Sequence, residues 1–149
     1  MSRTVALAPA EILPVPVGEL HPMQRNPGLD PRIADAFEYI RANCQGAVTE
    51  EQLALLSGLS RSRFAHLFRQ QTGETFRAAL RQFRLAKAAL LLADAALRVK
   101  EIAASCGYAD SHSFDKAFRH RFGLTPAAYR HSTHGYHLAH RDTNSKLTA

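Results

Sequence analysis

Tryptophan is absent from this 149-residue chain, and cysteine and methionine occur only twice each. Cys44 and Cys106 lie far apart and in no metal-type spacing, which argues against a disulfide framework and reads as two small core thiols. No apolar run approaches the length of a membrane span, and the N-terminus lacks a charged-then-apolar signal pattern. The expectation is therefore a cytoplasmic protein with no membrane partner. A Gly-rich phosphate loop, a nucleophile elbow, a compact carboxylate pair and a Cys-His pairing are all missing, so neither an enzyme nor a bound cofactor is expected. Strand-type alternation is missing too, which leaves an all-α fold.

Proline is scarce beyond position 31, because six of the seven fall at or before it. Residues 1–30 read as a Pro-rich linker or tail, and residues 132–149 as a second, polar tail without a sustained apolar stripe. What lies between holds the charge. Lys and Arg outnumber Asp and Glu by fifteen to nine between Pro31 and His131, while the flanks carry four of each. The whole net charge of +6 belongs to this middle region. Nucleic acid is the partner that such a localised excess points to, with a solvated basic surface as the plainer alternative.

Seven helices are expected there. Pro31 opens the first, which runs to about Ala42 with Ile33, Phe37 and Ile40 on one face. Thr49-Glu50-Glu51-Gln52 is a capping-box pattern for the second, which ends before Gly58. Ser60 caps the third and Gly73 stops it. A long fourth runs from about Phe76 to Ala93 and should bury Phe76, Leu80, Phe83 and Leu90. The fifth covers Val99 to Cys106 and the sixth Ser111 to Phe122; a short seventh starts at Pro126 behind Thr125. Such a chain suits one domain, or two small subdomains that share a helix.

The middle region contains one unit twice. At an offset of 50, Phe64 falls on Phe114, Phe68 on Phe118, Arg69 on Arg119 and Gly73 on Gly123. Upstream the offset is 49, placing Leu53-Ala54 on Ile102-Ala103 and Gly58 on Gly107, with the extra residue in the turn. Each unit reads helix, Gly-containing turn, helix, a helix-turn-helix pattern. The units occupy about 31–74 and 97–131, with the linking helix at about 76–93. A recognition helix needs one face anchored in the protein and another free to reach a major groove. Phe64, Leu67 and Phe68 anchor the third helix, leaving Arg61, Ser62, Ala65, His66 and Arg69 outside. Phe114, Ala117 and Phe118 anchor the sixth, leaving Ser111, His112, Asp115, Lys116 and Arg119 outside. The fourth helix, from Phe76 to Leu92, spans roughly 25 Å, compatible with readers about 34 Å apart, one duplex turn.

Residues 31–131 resemble the DNA-binding domain of the AraC-type transcription regulators. The resemblance is most specific over Ile102 to Arg119 and Arg121 to Arg130. Leu59 to Gly73, Arg84 to Ala88 and the segment Leu20-His21-Pro22 with Asp30-Pro31-Arg32 match as well. It implies two helix-turn-helix subdomains joined by a long central helix, and a sequence-specific regulator, most often an activator that contacts RNA polymerase. Base-reading positions carried over are Ser62, Ala65 and His66, then Ser111, His112, Asp115 and Lys116; Arg61, Arg63, Arg69 and Arg119 would meet phosphates or bases. Ala65 has only apolar contact to give, for instance to a thymine methyl. Asp115 needs a cytosine amino group or a neighbouring cation to avoid repulsion by phosphate. Double-stranded DNA is the expected partner, bound as a monomer unless a further domain dimerises the chain. The alternatives are the detached DNA-binding part of a larger ligand-responsive regulator, or a metal-binding module built on the histidine run His131, His134, His137 and His140; no metal site is assigned. Arg77, Arg81 and Arg84 form a stripe on the long helix, read first as a solvated face for most of them.

Overall fold

The computed structural model describes residues 28–133. The two tails expected at residues 1–30 and 132–149 therefore lie almost wholly outside the described residues. Six helices, α1 (Pro31–Asn43), α2 (Glu50–Leu56), α3 (Arg61–Thr72), α4 (Phe76–Leu91), α5 (Val99–Ser105) and α6 (Ser111–Phe122), are followed by α7, described over 126–133. Among the described residues there is no strand, and no helix is long and apolar enough to cross a membrane.

Local chemistry sets the helix ends. Asp30 accepts the amide of Arg32 at the start of α1, where Pro31 occupies the first turn. The capping box of α2 is formed, with Thr49 Oγ1 accepting from Gln52 N and Gln52 Oε1 accepting from Thr49 N. Ser60, Thr75 and Asp110 cap α3, α4 and α6 through side-chain oxygens, each satisfying an amide that the helix itself leaves open. Thr125 does the same for α7 by accepting from Ala128 N.

Two apolar cores result. The first gathers Ile33, Phe37 and Ile40 of α1, Leu53 of α2, Phe64 and Phe68 of α3, and the start of α4. The second gathers the end of α4, Ile102 of α5, Phe114 and Phe118 of α6, and Tyr129 of α7. The long helix belongs to both. Phe76, Ala79 and Leu80 are buried in the first core, with Phe83 packed against it, whereas Leu85, Ala88, Ala89 and Leu92 are buried in the second. At about 100° per residue these two stripes lie about 180° apart around the helix axis. The first unit thus packs on one side of α4 and the second on the other.

This arrangement corrects one expectation. Leu90 continues the stripe of Phe76, Leu80 and Phe83, but it is 40% exposed. That stripe faces the first unit, which α4 has already outrun at Leu90; the buried positions have passed to the opposite side.

The repeat is also visible in the backbone. The turn glycines Gly58 and Gly107 both have positive φ, 65° and 81°, a conformation that a side chain disfavours. In each unit the next amide reaches back across the turn, Leu59 N to Ala54 O at 2.9 Å and Tyr108 N to Ala103 O at 3.0 Å. The second turn carries one more residue before its helix cap, Asp110 against Ser60, as the change of offset requires.

Candidate nucleic-acid interface

Each outward helix is held by the same pair of rings. Phe64 and Phe68 lie 5.6 Å apart in the first core, Phe114 and Phe118 5.6 Å apart in the second. All four are buried to within 1% of completeness. Phe68 also stacks on Phe37 of α1 at 5.0 Å, and Phe118 meets Phe122 and Tyr129, so neither helix can rotate about its axis without breaking a ring cluster. Leu67 and Ala117, expected as anchors, pack partly buried against their cores.

The faces opposite are open. Arg61, Ser62, Arg63, His66 and Arg69 of α3 are exposed, and Ala65 is half-buried between them and the core. On α6, His112, Asp115, Lys116 and Arg119 are exposed and Ser111 is half-buried. Every expected site residue therefore sits on or beside the outer face of its helix. Under the offset of 50, His66 falls on Lys116 and Ser62 on His112, so the two faces present different chemistry from equivalent places.

The helix starts differ in charge. Ser60 caps α3 with a neutral hydroxyl, accepting from Arg63 N at 3.2 Å. Asp110 caps α6 with a carboxylate, accepting from Ser113 N at 2.7 Å and from Ser113 Oγ at 2.8 Å. These bonds hold the Asp110 carboxyl below its ordinary range. A negative charge thus already stands at the positive end of α6, where a phosphate would be repelled, while the start of α3 carries none. Arg61 turns toward α2, its Nε 3.1 Å from Glu50 Oε1 in an exposed ion pair of the kind that water and salt weaken.

Two arginines escape recognition in the sequence. Arg84, grouped there with a solvated stripe, donates from Nε to Cys44 O at 2.8 Å and from Nη2 to Gly46 O at 3.0 Å. Arg77 and Arg81 are exposed as expected. Arg130 donates from Nε to Leu92 O at 3.2 Å and from Nη2 to Leu97 O at 2.6 Å. Cys44 and Leu92 are the C-terminal caps of α1 and α4, so each guanidinium neutralises open carbonyls at a helix end. Both contacts span more than thirty residues of chain, which no local pattern announces.

Among the described residues no three His, Cys, Asp or Glu side chains come together in a group able to hold a metal ion. His131 is exposed on α7, and His134, His137 and His140 lie outside the described residues, as does Leu20-His21-Pro22. Burial raises the thiols of Cys44 and Cys106 above their ordinary range, and both are free.

Comparison with known proteins gives a consistent picture. A family model described as "Helix-turn-helix domain" matches residues 53–132. The RCS-specific HTH-type transcriptional activator RclR of Escherichia coli strain K12 is 41% identical over 102 residues, covering 68% of this chain and 36% of that protein. The chain thus spans about a third of the length of that relative. A solved transcriptional regulator of Chromobacterium violaceum, one of the AraC-type DNA-binding domain-containing proteins, superposes with a TM-score of 0.66 at 27% identity, covering 70% of this chain and 94% of that one. The DNA-binding domain of AdpA, a global transcriptional factor solved in complex with a target DNA, gives 0.66 at 27% identity over 72% of this chain and 96% of that one.

Proposed function

The chain belongs to the AraC-type family of helix-turn-helix proteins, and on that premise we propose that it is a sequence-specific regulator of transcription that reads one double-stranded DNA site in two adjacent major-groove segments. The observation that carries this reading is the paired construction on α4: two ring-anchored helices, α3 and α6, each with an open polar or basic face, are seated on opposite sides of one helix of 16 residues, about 24 Å long. Ser62, Ala65 and His66 of α3, with Ser111, His112, Asp115 and Lys116 of α6, read base edges. Arg61, Arg63, Arg69 and Arg119 hold phosphates or bases at the margins. Domain limits follow the same logic, with residues 31–131 forming the DNA-reading part.

The two readers contribute differently. With Ala65 at its centre, α3 reads by an apolar contact flanked by His66 and Ser62. On α6, Lys116 and His112 donate hydrogen bonds, and Asp115 selects a cytosine amino group. Activation through RNA polymerase, at a cytoplasmic promoter, is the regulatory role that fits the relative's name as an activator. The length of that relative favours a second setting for the same site, as the DNA-binding part of a larger ligand-responsive regulator. Selection of bound duplexes from a random library tests the proposal: one motif with two informative blocks about a helical turn apart is expected, and recovery of no motif would refute it.

A further inference from the structure

Arg84 touches both units. Its guanidinium donates to the carbonyls of Cys44 and Gly46, in the segment that leads from α1 to α2 of the first unit. On the other side it lies against the turn of the second helix-turn-helix: a methyl group added to Gly107 would stand 3.0 Å from Arg84 Cζ and 3.1 Å from both Nε and Nη2. Gly107 is the turn glycine between α5 and α6, so the guanidinium is wedged between the frame of one reader and the hinge of the other. Such a methyl group would crowd the guanidinium, which would have to give by a few tenths of an ångström, at a backbone conformation that a side chain already disfavours. Gly58, the equivalent glycine of the first unit, has nothing within 4 Å of such a methyl group. The close approach is therefore a property of the seam between units and not of the turn itself.

The cores of the two units lie on opposite sides of α4. A helix alone fixes separation well but resists small bends and twists less well. The guanidinium is planar and makes a two-point fork, so it holds an angle as well as a distance.

We propose that Arg84 is a positioning residue that fixes the orientation of the α6 reader relative to the α3 reader, and so sets which spacing between two DNA blocks the protein accepts. This rests on the DNA-reading function proposed above. One base pair added between the blocks turns the second by about 34° and moves it about 3.4 Å, so even a modest loosening of the seam is read out as tolerance of spacing.

The test compares Arg84→Lys with Arg130→Lys in the full chain. Lysine keeps the charge but not the planar fork. Arg130 makes an equivalent two-carbonyl clamp wholly among α7, the end of α4 and the loop before α5, so its variant controls for lost stability alone. Binding is measured to the selected site with the spacer unchanged, shortened and lengthened by one base pair. The wild type and Arg130→Lys should prefer the native spacer by about tenfold or more, the order expected of a mismatched contact, and Arg84→Lys by no more than about threefold. Residual dipolar couplings of the free protein provide a reading independent of DNA: both units should fit one alignment tensor in the wild type and in Arg130→Lys, and two different tensors in Arg84→Lys. A retained spacing preference or a single shared tensor in Arg84→Lys would overturn the proposal. If the wild type selects no sequence at all, the DNA-reading function fails, and the tensors alone decide the positioning role. Should Arg84→Lys not fold, Arg84→Gln, which keeps one planar donor, carries the same two expectations.

Discussion

Arg84 and Arg130 perform matching tasks from places that do not match in the repeat. Each donates through Nε to the carbonyl of the residue capping the first helix of its unit, Cys44 or Leu92, and through Nη2 to a carbonyl of the following loop. Under the offset of 50, however, Arg130 falls on Leu80, one helical turn before Arg84. In the first unit the clamp comes from the middle of α4, in the second from α7. The difference follows from the double use of α4, which closes the first unit and opens the second.

That double use gives a prediction about two leucines on one helix. Leu85 is buried in the second core, while Leu90 is half out of both. Leu85→Ala should cost about 2–5 kcal/mol and Leu90→Ala less than about 1 kcal/mol, read from denaturant midpoints at unchanged slope. Comparable losses from the two would mean that the inward faces of α4 are wrongly assigned.

Anchors and readers separate on α6. Phe118 is fully buried among Phe114, Phe122 and Tyr129, and Phe118→Ala should cost about 3–5 kcal/mol. Lys116 is exposed two residues earlier, so Lys116→Ala should change stability by no more than about 0.5 kcal/mol while weakening or broadening DNA selection. Unfolding of the Lys116 variant alone would reverse the facing of the helix.

Much of this was legible in the sequence because it is local or periodic. The caps at Thr49, Ser60 and Thr125, the ring pairs and the turn glycines each announce themselves within a few residues, and all but the Thr49 cap, which falls on Arg98, recur in the other unit. Leu90 is misread in the sequence, and Arg84 is not singled out from its stripe, for one reason. Their environments depend on where the first unit ends and the second begins along α4, and that boundary is set by packing between distant segments. A continuous stripe through Phe76, Leu80 and Phe83 predicts burial at Leu90; only the competing stripe through Leu85, Ala88 and Leu92 shows that the inward face has changed sides. Equally, Asp110 was legible as part of a family signature, but its role as a charged cap opposing phosphate at the start of α6 emerges from its bonds to Ser113.

The Asp110 cap makes a prediction about acid. Its carboxyl is held below its ordinary value by the Ser113 amide and hydroxyl, so the folded state binds that proton more weakly than the unfolded state. The stabilisation is complete above the unfolded-state value, near 3.9, and is lost as pH falls through the lower folded-state value. Asp110→Asn retains the cap without the titration. The melting temperature of the wild type should exceed that of the variant at pH 6, and the gap should close toward pH 2; a gap that widens in acid would contradict the assignment.

Both thiols should be slow to react. Burial raises Cys44 and Cys106 and so depletes the thiolate that attacks electrophiles. In the native protein at pH 7, modification by a disulfide reagent should proceed no faster than unfolding, and denaturant should release both groups at once. Rapid stoichiometric labelling of either cysteine in the folded state would show an access route that the packing does not provide.

The proposed reading of two parts of one DNA site by two helices meets its sharpest test in selection of duplexes repeated with His66→Ala and with Lys116→Ala. Affinity of the wild type for the selected site should fall steeply with salt, as expected when Lys and Arg displace counterions from phosphates. Each variant should erase information from one block of the wild-type motif and leave the other intact, and the two variants should affect different blocks. Loss from the same block in both variants, or a wild type that enriches no motif, would contradict the account.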